Sequence, residues 1–147
     1  MLTKIGASVN NGQNLFVYGT LRRDTQHELA RLLAQRARFL GAAAVSGKLY
    51  DLGNYPGLVY PGNGHVIGEV YAIDRPYWES VISQLDEYEG CTPSDPEPHE
   101  YRREVVRVQL TNGETLPAWA YVLNREPRDC REIQSGDYLS WRAKARA

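Results

Sequence analysis

The segment from Tyr101 to Leu123 constrains the fold more than any other part of this 147-residue chain. Tyr101 to Leu110 and Thr115 to Leu123 are β-prone runs, and the link between them contains Asn112-Gly113. Asn-Gly accepts the positive φ that a tight turn between antiparallel strands requires, so the segment reads as a hairpin. Leu15 to Tyr18, Val45 to Leu52 and His65 to Ile73 supply further strands. The last of these alternates, with Val66, Gly68, Val70 and Ala72 on one face and Ile67, Glu69, Tyr71 and Ile73 on the other. Thr25 and Glu28 have capping-box spacing ahead of the apolar stripe Leu29, Leu32 and Leu33, which predicts a short helix from Thr25 to Arg36. Asp74 as a cap and Pro76 in the first turn start a second helix, which runs to Glu89 and stops at Gly90. Ser135 to Arg142, with Tyr138, Leu139 and Trp141, is expected to pack back on the core. Strands outnumber helices and the late ones are antiparallel, so the expected class is α+β with a small, strongly curved or barrel-like sheet.

Length and composition fit one globular domain, with 42% hydrophobic and 24% charged residues and no repeat. Residues 1–13 read as a flexible N-terminal lead-in and 14–147 as the single domain. Gly53-Asn54-Tyr55-Pro56-Gly57 and Pro61-Gly62-Asn63-Gly64 are turn clusters, and three prolines make residues 91–100 an irregular loop. A net charge of −1 provides no dense basic face for nucleic acid, and the basic tail Arg142 to Arg146 reads as a solvated end. No run approaches the roughly 20 apolar residues of a membrane span, and Met1 to Asn14 lacks the apolar stretch of a secretory signal. The expectation is a soluble cytoplasmic protein with no membrane partner. Cys91 and Cys130 have no neighbouring ligands at metal-binding spacing, so they read as free thiols and no metal site is expected. His27, His65 and His99 are scattered and read as surface or packing residues.

Two positions carry candidate chemistry. Gly19 and Thr20 follow the strand Leu15 to Tyr18. Either Gly19 supplies a backbone conformation forbidden to other residues, or the turn presents its N–H groups to a ligand. In the second helix Trp78, Val81, Ile82 and Leu85 form an apolar stripe, and the next place in that series is Glu89. Asp86 and Glu87 point elsewhere and fit a solvated surface. Partial desolvation and the negative end of the helix dipole would both raise the pKa of Glu89, which suits general acid/base work near neutral pH. The alternative is a frayed last turn that leaves Glu89 at the rim, paired with Arg102 or Arg103. Glu69 is the rival carboxylate, at an outward or cross-strand-paired position.

The pieces "FVYGTLR", "GEVYAID", "LDEYEG", "YRREVVRV" and "AWAYV", in this order over residues 15–141, resemble the gamma-glutamylcyclotransferase-like family, including its gamma-glutamylamine cyclotransferases. The resemblance implies an α+β fold built on a small mixed β-barrel flanked by short helices. It implies that Tyr18, Gly19, Thr20 and Leu21 bind the gamma-glutamyl group through main-chain amides, that Glu89 is the catalytic acid/base, and that Tyr101 lines the same pocket. The implied reaction is intramolecular attack of the substrate's α-amine on its γ-carbonyl, which releases 5-oxoproline and an amine without a metal or organic cofactor. The implied partner is a small gamma-glutamyl substrate, whose leaving amine the sequence does not specify; oligomeric state is equally unspecified. A non-catalytic ligand-binding or regulatory protein that keeps the pocket is the competing expectation.

Overall fold

The computed structural model describes residues 12–23 and 25–146. The described strands are β1 (Gly12–Val17), β2 (Ala37–Ser46), β3 (Lys48–Asp51), β4 (Pro56–Val59), β5 (His65–Asp74), β6 (Tyr101–Leu110), β7 (Thr115–Leu123) and β8 (Arg131–Glu132). The described helices are α1 (Glu28–Arg36), α2 (Arg75–Glu89) and α3 (Tyr138–Arg146). Five strands close a mixed barrel in the order β1-β5-β2-β6-β7, with a parallel β7–β1 contact sealing the ring. Strands β4, β3 and β8 extend from the other end of β7, where Leu58 pairs in parallel with Val122. The α+β barrel architecture is the expected one.

Side-chain alternation divides the barrel wall into two faces. Phe16, Val66, Val70, Val106, Val108, Ala120 and Val122 fill the interior cluster, and Tyr138 of α3 closes it. Leu15, Val17, Tyr71 and Ile73 face outward onto Leu33 of α1 and Val81, Ile82 and Leu85 of α2. The outer face of β5 is therefore apolar toward its end, because the helices cover it.

The hairpin forms as expected, with Tyr101 opposite Leu123 and Gln109 opposite Thr115. Helix α2 ends at Gly90, whose φ is 71°. Several local expectations need correction. Strand β2 begins at Ala37, directly after α1, and carries a bulge between Phe39 and Gly41. The expected strand Val45 to Leu52 is instead the end of β2 followed by β3. The Thr25–Glu28 capping box does not form: the Thr25 hydroxyl donates to Thr20 O at 2.6 Å, and His27 Nδ1 caps α1 by accepting from Leu29 N. Asp74 stands at the start of α2 but makes no side-chain cap bond; its carboxylate lies 3.6 Å from Arg38. Gly12 and Gln13 belong to β1, while residues 1–11 of the expected lead-in lie outside the described residues.

Gly68 shows how tightly β5 and β1 are packed. A Cβ built there collides with Val17 O and meets the Phe16 ring at 2.7 Å. Backbone cannot yield as a flexible side chain does, so Gly68→Ala is expected to cost about 3 kcal/mol, at the upper end for overpacking. Urea unfolding followed by circular dichroism would measure it; an unchanged midpoint would contradict this account of the β1–β5 contact.

Candidate active site

The cavity begins where β1 and β4 part along β7. Leu15 pairs with Trp119 and Leu58 pairs with Val122, so the ladder changes partner within four residues of β7. Tyr18 fills the gap. Its buried hydroxyl donates to Tyr121 O at 2.6 Å and accepts from Leu58 N at 3.1 Å, linking the end of β1 to both β7 and β4. Burial and the nearby Glu89 raise the Tyr18 pKa, so the phenol stays neutral.

Beyond Tyr18 the chain turns away from the sheet. Arg22 N bonds Gly19 O at 3.1 Å, and Arg23 N bonds the Glu69 carboxylate. Arg22 is itself held by Asp137 at 2.8 Å and lies 3.6 Å from Glu69. The Glu69 carboxylate thus neither faces solvent nor pairs across strands; from β5 it braces the turn that follows β1. Among the described residues, the N–H groups of Gly19, Thr20 and Leu21 face no protein acceptor. These three residues line a cavity of about 510 Å³.

Gly19 has no positive φ, so the conformational explanation for its glycine does not hold. The reason is space: a Cβ there would lie 3.0 Å from Pro56 Cγ. The Tyr101 hydroxyl donates to Pro56 O and fixes the opposing wall, while its ring lines the cavity.

Glu89 enters the same cavity from the end of α2, one helical turn past Leu85 on the face that packs against the barrel. Among the described residues no hydrogen bond or ion pair reaches its carboxylate. The rim pairing with an arginine does not occur, since Arg102 binds Glu104 and Arg103 binds Asp86. Burial, reinforced by the charges of Asp86 and Glu100, pushes the Glu89 pKa up to about 7.

Tyr18, Gly19, Thr20, Leu21, Glu89 and Tyr101 therefore line one cavity. Sequence reasoning missed its other walls: His27 and Tyr88 on the helix side, Asn54 and Tyr55 on the loop before β4 with Pro56 at the start of that strand, and Glu100 and Tyr121 from the hairpin side. Tyr55 donates to Glu100 at 2.7 Å, and Arg125 pairs with the same carboxylate at 2.8 Å. Asp86 also departs from expectation. It is a half-buried acceptor for Arg103 and Tyr121 and not a solvated surface group. Its spacing from Glu89, three residues back on the helix, was the available signal.

Comparison with known proteins agrees with this architecture. The family model described as "Gamma-glutamyl cyclotransferase, AIG2-like" matches residues 15–140. The chain belongs to that family. It is 34% identical over 128 residues to the gamma-glutamylcyclotransferase family protein YtfP of Escherichia coli, covering 85% of this chain and 95% of that one. An AIG2-like protein from Mus musculus superposes with a TM-score of 0.62 at 31% identity, covering 80% of this chain and 81% of that one. YkqA from Bacillus subtilis gives a TM-score of 0.68 at 28% identity over 92% of this chain, which spans 42% of YkqA. Family membership supports cyclotransferase activity in general terms.

The raised Glu89 pKa has a consequence for stability. An ordinary glutamate ionises near 4.5, so between that value and about 7 the unfolded chain has released a proton that the folded chain still holds. Stability should therefore fall as pH rises through this window and then level off. Glu89→Gln, which cannot ionise, should melt higher than wild type at pH 8 and close to it at pH 5. Thermal melts at the two pH values test this, and an equal difference at both would contradict burial of a protonated carboxyl.

Proposed function

We propose that the chain is a gamma-glutamyl cyclotransferase that releases 5-oxoproline from a small gamma-glutamyl amine or peptide, with Glu89 as the general acid/base. The observation that carries this reading is one cavity holding an unpaired carboxyl of pKa about 7 and the uncommitted N–H groups of Gly19, Thr20 and Leu21.

The chemistry follows from those two features. The substrate's α-ammonium must lose a proton before it attacks, and a carboxylate whose pKa lies near neutrality serves as the base. The free α-amine then attacks the γ-carbonyl carbon, closing a five-membered ring and placing negative charge on the carbonyl oxygen. Fixed amide donors at the Gly19 turn stabilise that charge without reorganising. Protonated Glu89 gives its proton to the leaving nitrogen, the bond from carbonyl carbon to that nitrogen breaks, and the amine departs from 5-oxoproline. The nucleophile and electrophile belong to one molecule, so holding the substrate folded supplies a large part of the rate. A cavity of about 510 Å³ is in the range that small ligands occupy.

The turn amides also suit the substrate's negative end. Among the described residues no lysine or arginine lines the cavity, so in this reading backbone donors recognise the α-carboxylate or the developing oxyanion. The Tyr18 and Tyr101 hydroxyls are committed to main-chain groups, which leaves their rings as walls.

Mass spectrometry of 5-oxoproline released from a panel of gamma-glutamyl amines and peptides tests the reading. Wild type should release it from at least one member, with activity falling away below pH 7 as Glu89 becomes protonated. Glu89→Gln should lose about a thousandfold or more in kcat while keeping the wild-type circular dichroism spectrum. Full activity in Glu89→Gln would overturn the assignment. Binding of panel members with no release by wild type would favour a ligand-binding protein.

A further inference from the structure

The end of α2 is tied to the barrel by one carboxylate. Asp86 receives Arg103 Nε on Oδ1 at 2.8 Å and Arg103 Nη2 on Oδ2 at 3.1 Å, a two-pronged contact. Oδ1 also accepts the Tyr121 hydroxyl at 2.7 Å. Arg103 and Tyr121 are direct partners across β6 and β7, so they present their side chains on one face of the hairpin. The Arg103 guanidinium is buttressed in turn, 4.8 Å from the centre of the Trp119 ring. Asp86 and Arg103 have side-chain exposures of 19% and 25%, so solvent competes weakly for these bonds.

From this arrangement we infer that Asp86, gripped by Arg103 and Tyr121, is a positioning residue that locks the last turn of α2 and holds Glu89 facing the Gly19 turn. Helix ends ordinarily fray, and Glu89 is the final residue of α2, directly before Gly90. Three charge-assisted bonds on the residue one turn earlier prevent that fraying. They also seat Asp86 where its charge acts on Glu89. The inference rests on the acid/base reading of Glu89 only for its effect on rate, since the fixing of the helix end is independent of catalysis.

Asp86 is one of several groups around Glu89. Glu100, directly before β6, is paired with Arg125, and Arg103 stays behind Asp86, bound to its carboxylate. The phenols of Tyr18, Tyr101 and Tyr121 are raised by burial and stay neutral, as does the Cys91 thiol, pushed up to about 11. His27, Tyr55 and Tyr88 stand elsewhere on the cavity wall.

The test combines steady-state kinetics with a titration that does not depend on turnover. The Glu89 carboxyl signal, assigned by its loss in Glu89→Gln, is followed by carbon-13 NMR in protein labelled at glutamate. Asp86→Asn removes a negative charge and leaves the Arg103 cation unpaired, and both changes favour ionised Glu89. Its titration midpoint should drop by about one pH unit or more. On the best panel substrate kcat should fall about tenfold to a hundredfold, with KM within about threefold of wild type. Arg103→Lys keeps the cation but loses the fork, so kcat should fall while the midpoint stays within a few tenths. Wild-type kcat and midpoint in Asp86→Asn would overturn the inference, as would wild-type kcat in Arg103→Lys. If wild type turns over nothing in the panel, the cyclotransferase reading fails, yet a lowered midpoint in folded Asp86→Asn would still support the inference and an unmoved one would overturn it. If Asp86→Asn does not fold, Tyr121→Phe takes its place, and an unchanged Glu89 midpoint with undiminished kcat would count against the inference.

Discussion

The Tyr18 hydroxyl between Tyr121 O and Leu58 N is the interaction on which the site depends. Strand β7 has β1 as its parallel neighbour at Trp119 and β4 at Val122, and a sheet cannot change neighbours without interrupting its ladder. At the change of neighbour one phenol bonds a buried carbonyl of β7 and a buried amide of β4, because it donates and accepts at once. The barrel can therefore open at this place without losing its core, and the chain after Tyr18 is free of the sheet. Backbone that leaves a ladder keeps its donors, and the residues that carry these amides line the cavity.

The two walls differ in electrostatic character. One presents uncommitted N–H groups, the other a carboxyl that burial and neighbouring acids keep from ionising until about pH 7. Were those amides bonded to Glu89, its carboxylate would be stabilised and its pKa would fall. Keeping them apart preserves both the donors and the proton affinity.

What the sequence disclosed follows from how local each signal is. The hairpin around Asn112-Gly113, the α2 stripe and the Gly90 stop depend on neighbours within a few residues, and all three appear at their expected places. The direction of Glu89 follows from the same periodicity. Strand β2 escaped notice because Ala37 to Ala44 is rich in small residues, and its strand character comes from pairing on both sides with β5 and β6. The Thr25–Glu28 spacing imitates a capping box and hides the role of His27, whereas tertiary structure directs the Thr25 hydroxyl to Thr20 O and leaves His27 to cap α1 beside the cavity. Asp86 reads as a surface acid because Arg103 and Tyr121 are distant along the chain, and its three-residue spacing from Glu89 is the one local hint of its place. Glu100, Asn54 and Tyr55 join the cavity only once β4 and β6 are in place on either side of β7.

Gly19 brings these levels together. Its sequence context allows two explanations, and the structure rejects the one based on positive φ. The structure adds a constraint that neither explanation contains, distance: the turn passes the Pro56 ring so closely that a Cβ would stand 3.0 Å from it. Pro56 cannot readily retreat, because its carbonyl accepts the Tyr101 hydroxyl and it opens β4, whose Leu58 is tied to Tyr18. The absent side chain thus sets how near the Gly19 turn comes to the opposite wall, and the Tyr18 and Tyr101 phenols hold that spacing from both ends. A methyl group there would act on the width of the cavity before it acted on the backbone conformation, which makes this glycine part of the site's shape.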